Sequence, residues 1–369
     1  MSSKYSPSQD IKDIAESDLA AWLSQHDIAP YRAGQISRWI YHRNAKTFWE
    51  MTDLSKTLRQ WLSQRLTISH FQAEKTQVSR DGSRKYLFPL PDGHHVESVL
   101  IPEGDHWTLC ISSQVGCPMG CRFCLTGTGG FIRNLTSGEI INQVCAAKEA
   151  LPSPHPLTNI VFMGMGEPLA NYENVLKAIA VFLGSNGLQF SKRRVTLSTV
   201  GMASAIDALG KDASLNLAIS LNAADNVTRS RIMPVNDAYP LDALLSACER
   251  FPVPAGRRLT FEYVLLSQVN DSAEDAIRLA GLLKPFRAKI NLIPFNPFEG
   301  SPFKRPPSET ILAFQDLLIQ HHFTVLIRWS KGQDIGAACG QLRPNALSRR
   351  TPDSGVSDTN RAMTGNRVF

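Results

Sequence analysis

The 369-residue chain has no uninterrupted apolar run long enough to cross a bilayer. Its first residues, MSSKYSPSQDIKDIAESDLAAWL, lack the apolar core that follows a basic region in a secretory signal peptide. Both absences argue against an integral membrane protein and an exported protein. We therefore expect a cytoplasmic protein with no membrane contact.

Cysteine is scarce and odd in number, which argues against a secreted disulfide scaffold in so long a chain. The seven cysteines are Cys110, Cys117, Cys121, Cys124, Cys145, Cys248 and Cys339. Three of them fall within eight residues, which favours metal or redox chemistry. Cys145 and Cys248 lie in helical patterns and are interpreted as small core residues.

The chain also lacks a strong excess of one charge sign, with a formal net charge of +6. A mildly basic protein is compatible with a polyanionic partner but does not require one. Hydrophobic residues make up 43% of the chain and charged residues 20%, as in ordinary globular proteins.

Four regions follow from the changes in pattern along the chain. Residues 1–66 show helical spacing of apolar residues, as in Leu19, Trp22 and Leu23, and predict a helical N-terminal domain. Residues 67–105 contain two strand patterns around Pro91-Asp92-Gly93, which predicts a β-hairpin connector. Residues 106–342 form the predicted catalytic core, and the polar residues 343–369 predict a disordered basic tail.

In the core, short apolar runs such as NIVFMGMG and KINLIPFNP alternate with helical segments such as YENVLKAIAVFLG. Repeated strand–helix units predict an α/β fold with a parallel sheet and helices outside it. The number of units favours a full or partial β/α barrel. The reactive site of such a barrel lies at the carboxyl ends of its strands.

The segment GCPMGCRFC follows the first predicted barrel strand, TLCISS. Its CxxxCxxC spacing allows Cys117, Cys121 and Cys124 to hold one iron–sulfur cube through their thiolates. A structural zinc ion would need a fourth ligand, and His106 and His155 are both distant in sequence. Three ligands leave one iron open to a chelating cofactor.

Polar residues stand at the ends of several predicted strands. Glu167 and Gly166 in MGMGEP lie where the glycines let the backbone approach a ligand and the carboxylate can accept from an ammonium group. Further strand ends carry Ser198, Ser220, Leu221, Asn222 and Asn296. Each of these fits a helix cap or a turn when taken singly, but together they can line a cofactor site.

The cysteine spacing after a first barrel strand resembles the radical S-adenosylmethionine (SAM) superfamily. The resemblance implies a [4Fe-4S] cluster on the three cysteines, with SAM chelating the open iron and its amino group received by the GEP motif. It also implies a partial (β/α)6-type barrel. The cofactor supplies the radical chemistry, and the protein supplies position and exclusion of water.

A more selective resemblance covers residues 97–342. The ordered segments ESVLIPE, TLCISSQVGC, FMGMGEPLANY, LAISLNA, IPFNP and DIGAACGQL are similar to those of the RlmN/Cfr family of radical SAM RNA methyltransferases. That family methylates an aromatic carbon of adenosine in 23S rRNA, and its RlmN-type members also act on tRNA. We expect carbon 2, an electrophilic position that ordinary polar methyl transfer cannot attack.

The resemblance assigns three further catalytic residues. Cys339 carries the methyl group, and Glu97 removes the ring proton. Cys110 then attacks Cys339 and forms a transient disulfide. Without the resemblance, Glu97 would be interpreted as an exposed strand charge.

The expected partners are RNA and a one-electron donor such as flavodoxin or ferredoxin, with the enzyme itself a monomer. The resemblance implies that residues 1–66 are an RNA-binding domain. Basic residues of this domain and of the barrel mouth would contact phosphates without reading sequence. These candidates are Arg122, Arg133, Arg193, Arg194, Arg231, Arg328 and Lys331. The target adenosine would have to be splayed out to reach the cluster.

Two departures from the family pattern leave the RNA target and the attacked carbon open. Asn222 stands where the family usually carries His, and Asn cannot titrate. Trp329 replaces a residue that is often polar or basic. The alternatives are a radical SAM enzyme with another substrate and a non-catalytic RNA-binding protein with a structural metal.

Overall fold

The N-terminal unit is helical and has its own apolar core. The computed structural model describes residues 9–152 and 154–343 of the chain. The elements of this unit are β1 (Gln9–Asp10), α1 (Glu16–Ser24), α2 (Arg32–Tyr41), α3 (Lys56–Ser63) and β2 (Leu66–Thr67). Trp22, Leu23 and Ile36 are fully buried between the helices, as the helical spacing predicts. The predicted tail lies outside the described residues apart from Arg343.

Three antiparallel strands follow the helical unit. They are β3 (Lys75–Val78), β4 (Arg84–Pro89) and β5 (His95–Glu103). Strands β4 and β5 form the predicted hairpin, with Leu87 opposite Glu97. The next strand, β6 (His106–Ile111), pairs antiparallel with β5, so the hairpin continues the barrel sheet. The domain boundary expected at residue 105 falls within this continuous sheet and stays a prediction.

Strand β6 begins a parallel sheet whose helices lie outside. The remaining elements are β7 (Gln114–Gly116), α4 (Leu125–Thr128), β8 (Phe131–Asn134), α5 (Ser137–Glu149), β9 (Leu157–Phe162), α6 (Tyr172–Leu183), β10 (Val195–Thr199), α7 (Ala203–Asp212), β11 (Asn216–Ser220), α8 (Asn226–Ile232), α9 (Leu241–Arg250), β12 (Leu259–Leu265), α10 (Ala273–Leu283), β13 (Ala288–Pro294), α11 (Ser308–Gln320) and β14 (Thr324–Ile327).

The sheet has ten strands in the order β14-β13-β12-β11-β10-β9-β6-β5-β4-β3. Strands β6 and β9–β14 are parallel, which confirms the predicted partial barrel of strand–helix units. Strands β10–β13 are buried on both faces, because helices cover the outside of the sheet, whereas the edge strand β14 exposes Leu326. No helix among the described residues is both long and apolar enough to cross a membrane.

The N-terminal unit is attached to the barrel through α5. The Nζ atom of the buried Lys12 donates to Asn142 Oδ1 at 2.6 Å and to the Ser69 carbonyl at 2.7 Å. Asp13 accepts from the backbone N–H of Gly138 at 2.6 Å, at the N-terminal end of α5. A carboxylate at this end is stabilised by the unpaired N–H groups and the dipole of the helix.

The loop with the three clustered cysteines is enclosed by a small hairpin of β7 and β8. Gly116 at the end of β7 has φ +76°, and a Cβ atom there would lie 2.1 Å from the Gly130 carbonyl oxygen. The Cys117 N–H donates to that same oxygen at 2.8 Å. The hairpin therefore closes only around a glycine.

Gly116→Ala is expected to destabilise the protein more than Gly93→Ala. Gly93 has a similar φ of +83° but no atom within 4 Å of its would-be Cβ. The control therefore carries only the left-handed strain, about 1–2 kcal/mol, whereas Gly116→Ala adds about 1–3 kcal/mol of overpacking. Urea unfolding of both variants measures the difference, and equal losses would show that the Gly130 contact does not matter.

Candidate active site

A cavity of about 960 Å³, including its open mouth, lies at the carboxyl ends of the parallel strands. Most of the residues predicted to form the site line its wall. These are Cys117, Cys121, Cys124, Gly166, Glu167, Ser198, Ser220, Asn222, Asn296 and Cys339. Residues far apart in sequence are therefore brought to one chamber by the parallel strands.

The three clustered cysteines lie on one part of this wall. Burial raises the pKa of the Cys117 thiol to about 12 and also raises the pKa values of Cys121 and Cys124. Iron binding would have to displace these protons, as metal binding to thiols does. No three His, Cys, Asp or Glu side chains in the described part of the chain are grouped closely enough to hold a single metal ion.

Glu167 is 2% exposed and accepts two backbone N–H groups. Its Oε1 accepts from Leu169 at 3.0 Å and its Oε2 from Val200 at 2.9 Å. Burial nevertheless raises the pKa of Glu167 to about 7. A carboxylate offers about four acceptor sites, which Leu169, Val200 and Thr199 do not fill, so the group can still accept from a cationic ligand.

Gly166 lies in the segment that follows β9. Because it has no side chain, the backbone there packs closely against β7. Its φ is +99°, and a Cβ there would lie 2.5 Å from the Cβ of Gln114. Gln114 Oε1 in turn accepts the Glu167 N–H at 2.8 Å. The glycine therefore positions the carboxylate as well as lining the cavity.

Polar groups of β10, β11 and β12 meet at the same level of the barrel. Ser220 is paired with Glu262 across the ladder. Glu262 Oε2 accepts from the Ser198 hydroxyl at 2.8 Å. Burial raises the pKa of Glu262, and the hydrogen bond from Ser198 offsets part of that rise. Glu262 is not among the site residues predicted from the sequence, although it is the only charged residue in the apolar run LTFEYVLL.

Asn222 has φ +60°, a left-handed conformation that Asn tolerates better than most residues. Its Nδ2 contacts Met233 Sδ at 3.2 Å and its Oδ1 accepts the Val264 N–H at 2.8 Å. One amide hydrogen remains for a ligand in the cavity. Leu221, by contrast, is fully buried and is not part of the cavity wall, so its side chain does not meet the expectation of a cofactor contact.

Cys339 lies across the cavity on the segment that follows β14. Its residue is exposed because it borders the open cavity, yet the surrounding protein raises the pKa of its thiol to about 11. Asn296 Nδ2 donates to the Cys339 carbonyl at 3.0 Å, and Asn296 Oδ1 accepts from Arg305 at 2.8 Å. Asn296 therefore holds the Cys339 segment in addition to lining the cavity.

Cys110 is buried on β6, behind the cavity wall. Burial raises the pKa of its thiol, and the Cys339 thiol, which lies within electrostatic range, raises it further. The predicted disulfide is not supported, because both cysteines are free in the structure.

Glu97 is 4% exposed, so it is not the exposed strand charge that the sequence alone favours. Its Oε1 lies 3.1 Å from Lys85 Nζ, and its Oε2 has no hydrogen-bond partner among the described residues. Burial raises the pKa of Glu97, while the Lys85 ammonium lowers it in part.

The predicted RNA contacts divide into two groups. Arg122 on the cysteine loop and Arg231 on α8 are exposed at the cavity end of the barrel. Arg328 is exposed just after β14. Arg193 and Arg194 precede β10, so they lie at the opposite end of the strands, and the prediction that they border the mouth is wrong.

Two further basic candidates are occupied by ion pairs. Arg133 binds Glu139 through both terminal nitrogens, at 2.7 and 2.9 Å, and Asp92 through Nε at 2.5 Å. Lys331 Nζ lies 3.6 Å from Glu103 Oε1. A phosphate would have to compete with these carboxylates, so neither is a ready contact.

Comparisons with known proteins agree with this geometry. The family described as ribosomal RNA large subunit methyltransferase N-terminal domain matches residues 9–68, and the radical SAM superfamily matches residues 111–280. A dual-specificity RNA methyltransferase RlmN from Geobacter sulfurreducens is 51% identical to this chain. The match covers 96% of this chain and 99% of the Geobacter protein. The RlmN of Desulfosudis oleivorans is also 51% identical, over 90% of both chains.

The chain belongs to the RlmN family. A crystal structure of a radical SAM methyltransferase from Sphaerobacter thermophilus superposes with a TM-score of 0.85 at 42% identity, covering 91% of this chain and 99% of that one. As a member of the RlmN family, the chain is a radical SAM methyltransferase that uses a [4Fe-4S] cluster and SAM. The alternative of a non-catalytic protein with a structural metal is wrong.

The residues present fit these cofactors. Three thiols without a fourth ligand suit a cluster with one open iron. Glu167 and the polar strand ends face the same cavity and offer acceptors for the amino and hydroxyl groups of SAM. The assignment of each contact is taken up below as a proposal.

Glu167→Gln is expected to change how stability depends on pH in the metal-free protein. The folded pKa of about 7 lies above the ordinary value of 4.5, so the folded state keeps a proton that the unfolded chain releases. The stabilisation that this proton gives the folded state is complete below pH 4.5 and is lost as the pH rises to 7. The unfolding free energy of wild type relative to Glu167→Gln should fall by roughly 3 kcal/mol over this range. Urea unfolding of both proteins at each pH measures this difference. An equal difference between wild type and Glu167→Gln at the two pH values would contradict the assigned burial of Glu167.

Proposed function

We propose that this enzyme transfers a methyl group to carbon 2 of adenosine in 23S rRNA and tRNA, through a methylated Cys339. The observation that carries the proposal is that Cys339 borders the same cavity as the three cluster cysteines. The names of the RlmN relatives, which describe dual-specificity RNA methyltransferases, support RNA as the substrate.

When bound, the cluster and SAM supply the one-electron chemistry that activates an otherwise unreactive C–H bond. In this proposal Cys117, Cys121 and Cys124 hold the cluster. Gly166 and Glu167 receive the amino end of SAM, and the groups at the ends of the later strands receive its other polar parts. Those groups are Ser198, Ser220, Asn222, Asn296 and the backbone of Leu221.

Cys339 is the proposed methyl carrier because, among the described residues, its sulfur is the one thiol of the cavity wall outside the cluster motif. Its raised thiol pKa means that methylation must be accompanied by loss of a proton. Cys110 is the proposed second thiol of the reaction, since its thiol and that of Cys339 interact electrostatically.

Glu97 is the proposed acceptor of the adenine ring proton. Its free Oε2 is available for a proton, whereas Oε1 is held by Lys85. A carboxylate with a raised pKa is a stronger base than an ordinary one.

RNA is proposed to approach the cavity end of the barrel. Arg122, Arg231 and Arg328 are exposed there and would neutralise phosphates. Trp329 is 53% exposed beside Arg328 and offers a ring on which a splayed base can stack. The enzyme is proposed to act in the cytoplasm, because its RNA substrates are cytoplasmic. It is further proposed to be a monomer that receives electrons from flavodoxin or ferredoxin.

The test is nucleoside mass spectrometry of rRNA and tRNA from a strain that lacks the gene. Loss of 2-methyladenosine from both RNAs, with recovery when the gene is restored, is the expected result. Unchanged nucleosides would assign the enzyme to another radical SAM substrate, and loss of an 8-methyl product would move the attack to carbon 8.

Cys339→Ala should abolish methyl transfer while the protein keeps its four irons. The physical reason is that the variant retains all three cluster ligands but lacks the sulfur that accepts the methyl group. Cys145→Ala, which removes a thiol outside the cavity on α5, is the matched control and should methylate normally. Methylation by Cys339→Ala would exclude the carrier role.

Glu97→Gln should slow methyl transfer by about 10²–10⁴-fold, because an amide of the same shape cannot take the proton. Iron content and SAM binding should stay at the wild-type level. Glu103→Gln on the same strand is the control, since Glu103 is half-exposed at the strand end and is expected to leave the rate unchanged. Wild-type rates in Glu97→Gln would assign the proton to another base.

A further inference from the structure

Arg229 on α8 is a charged side chain with no exposed surface. Burying a charge costs several kcal/mol unless an opposite charge or a metal site compensates it. The ion pairs formed among residues 9–152 and 154–343 do not include Arg229. No carboxylate of the described residues therefore balances its charge.

The hydrogen bonds of Arg229 all end on neutral acceptors. Nε donates to the Leu221 carbonyl at 3.1 Å, and Nη2 donates to the Val200 carbonyl at 2.6 Å. Nη1 donates to Asn236 Oδ1 at 2.9 Å and to the Tyr239 carbonyl at 3.2 Å. The guanidinium is thus well satisfied as a donor, but these contacts leave its positive charge unbalanced.

Within the described ranges, two thiols act electrostatically on the pKa of Arg229. They are Cys121, a cluster cysteine, and Cys248 on α9. Burial raises the pKa of Cys248 to about 12, so this thiol stays neutral at physiological pH. Cys121 differs, because a thiolate is the form that binds iron.

Helix α8 is in direct contact with the cysteine loop. The backbone N–H of Arg122 donates to the carbonyl of Ile232, the last residue of α8, at 3.0 Å. Cys121, Ile232 and Met233 also pack in one apolar cluster. The helix that carries Arg229 is therefore held against the loop that carries Cys121 by packing and by a backbone hydrogen bond.

We propose that Arg229 is the buried counter-charge of the iron–sulfur cluster and that it raises the reduction potential of that cluster. One-electron reduction by an external donor adds one negative charge to the buried site. A fixed cation in surroundings of low dielectric favours the reduced form, and cluster potentials depend on local charge and solvent exposure. The proposal rests on the cluster being bound at Cys117, Cys121 and Cys124.

Arg229 acts through the cluster and is a positioning residue with respect to substrate. It also has a structural effect, since its bonds to Val200 and Leu221 tie together the loops that follow β10 and β11. Lysine separates these two effects, because it keeps the charge but cannot make the same set of bonds.

The test is an electron paramagnetic resonance redox titration of the anaerobically reconstituted full-length protein. It compares Arg229→Met and Arg229→Lys with Arg231→Met, which removes an exposed charge from the same helix. We expect Arg229→Met to lower the midpoint potential by at least 59 mV, a tenfold change in a one-electron equilibrium. Arg229→Lys should retain most of the wild-type potential, and Arg231→Met all of it.

An unchanged potential in a fully loaded Arg229→Met protein overturns the proposal, as does an equal shift in the Lys and Met variants. Loss of the cluster from Arg229→Met but not from Arg229→Lys supports the counter-charge, and loss from both contradicts it. The titration uses neither RNA nor methyl transfer, so its failure leaves the proposed function standing.

Discussion

The parallel alignment of the barrel strands is the constraint on which the whole site depends. Because β6 and β9–β14 run in one direction, their carboxyl ends open into one cavity. Strand register then sets which side chains meet, as where Ser220 lies level with Glu262. Cys117 and Cys339 are more than two hundred residues apart, yet they border the same chamber.

Burial gives this chamber its electrostatic character. The same desolvation raises the pKa values of Cys117, Glu167 and Glu262, because burial penalises the charged form of each group. Iron and a cationic cofactor reverse this preference when they bind, and charge interactions are stronger there than in water. Arg229 is the one buried cation beside the cluster cysteines in the described part of the chain whose charge is already in place.

Much of the fold and site was predictable because the relevant signals are local. Apolar runs indicated the strands, and the cysteine spacing indicated the cluster. Glu262 and Arg229 were not predicted as site residues, because their importance comes from tertiary burial. A local sequence pattern does not reveal such burial. Arg229 lies in NVTRSRI, where a basic helical residue looks like a solvated charge. Arg133 was predicted to contact RNA, but in the fold it forms ion pairs with Asp92 and Glu139. The sequence around Arg133 gives no signal of these ion pairs.

The central claim is that the methyl group passes through Cys339 on its way to RNA. Mass spectrometry of the Cys339 peptide, after incubation with SAM labelled in its methyl group and before RNA is added, tests it most directly. We expect a labelled methyl group on Cys339 that disappears from the peptide as label enters adenosine. Labelled RNA from an enzyme whose Cys339 peptide never carries the label would contradict the account.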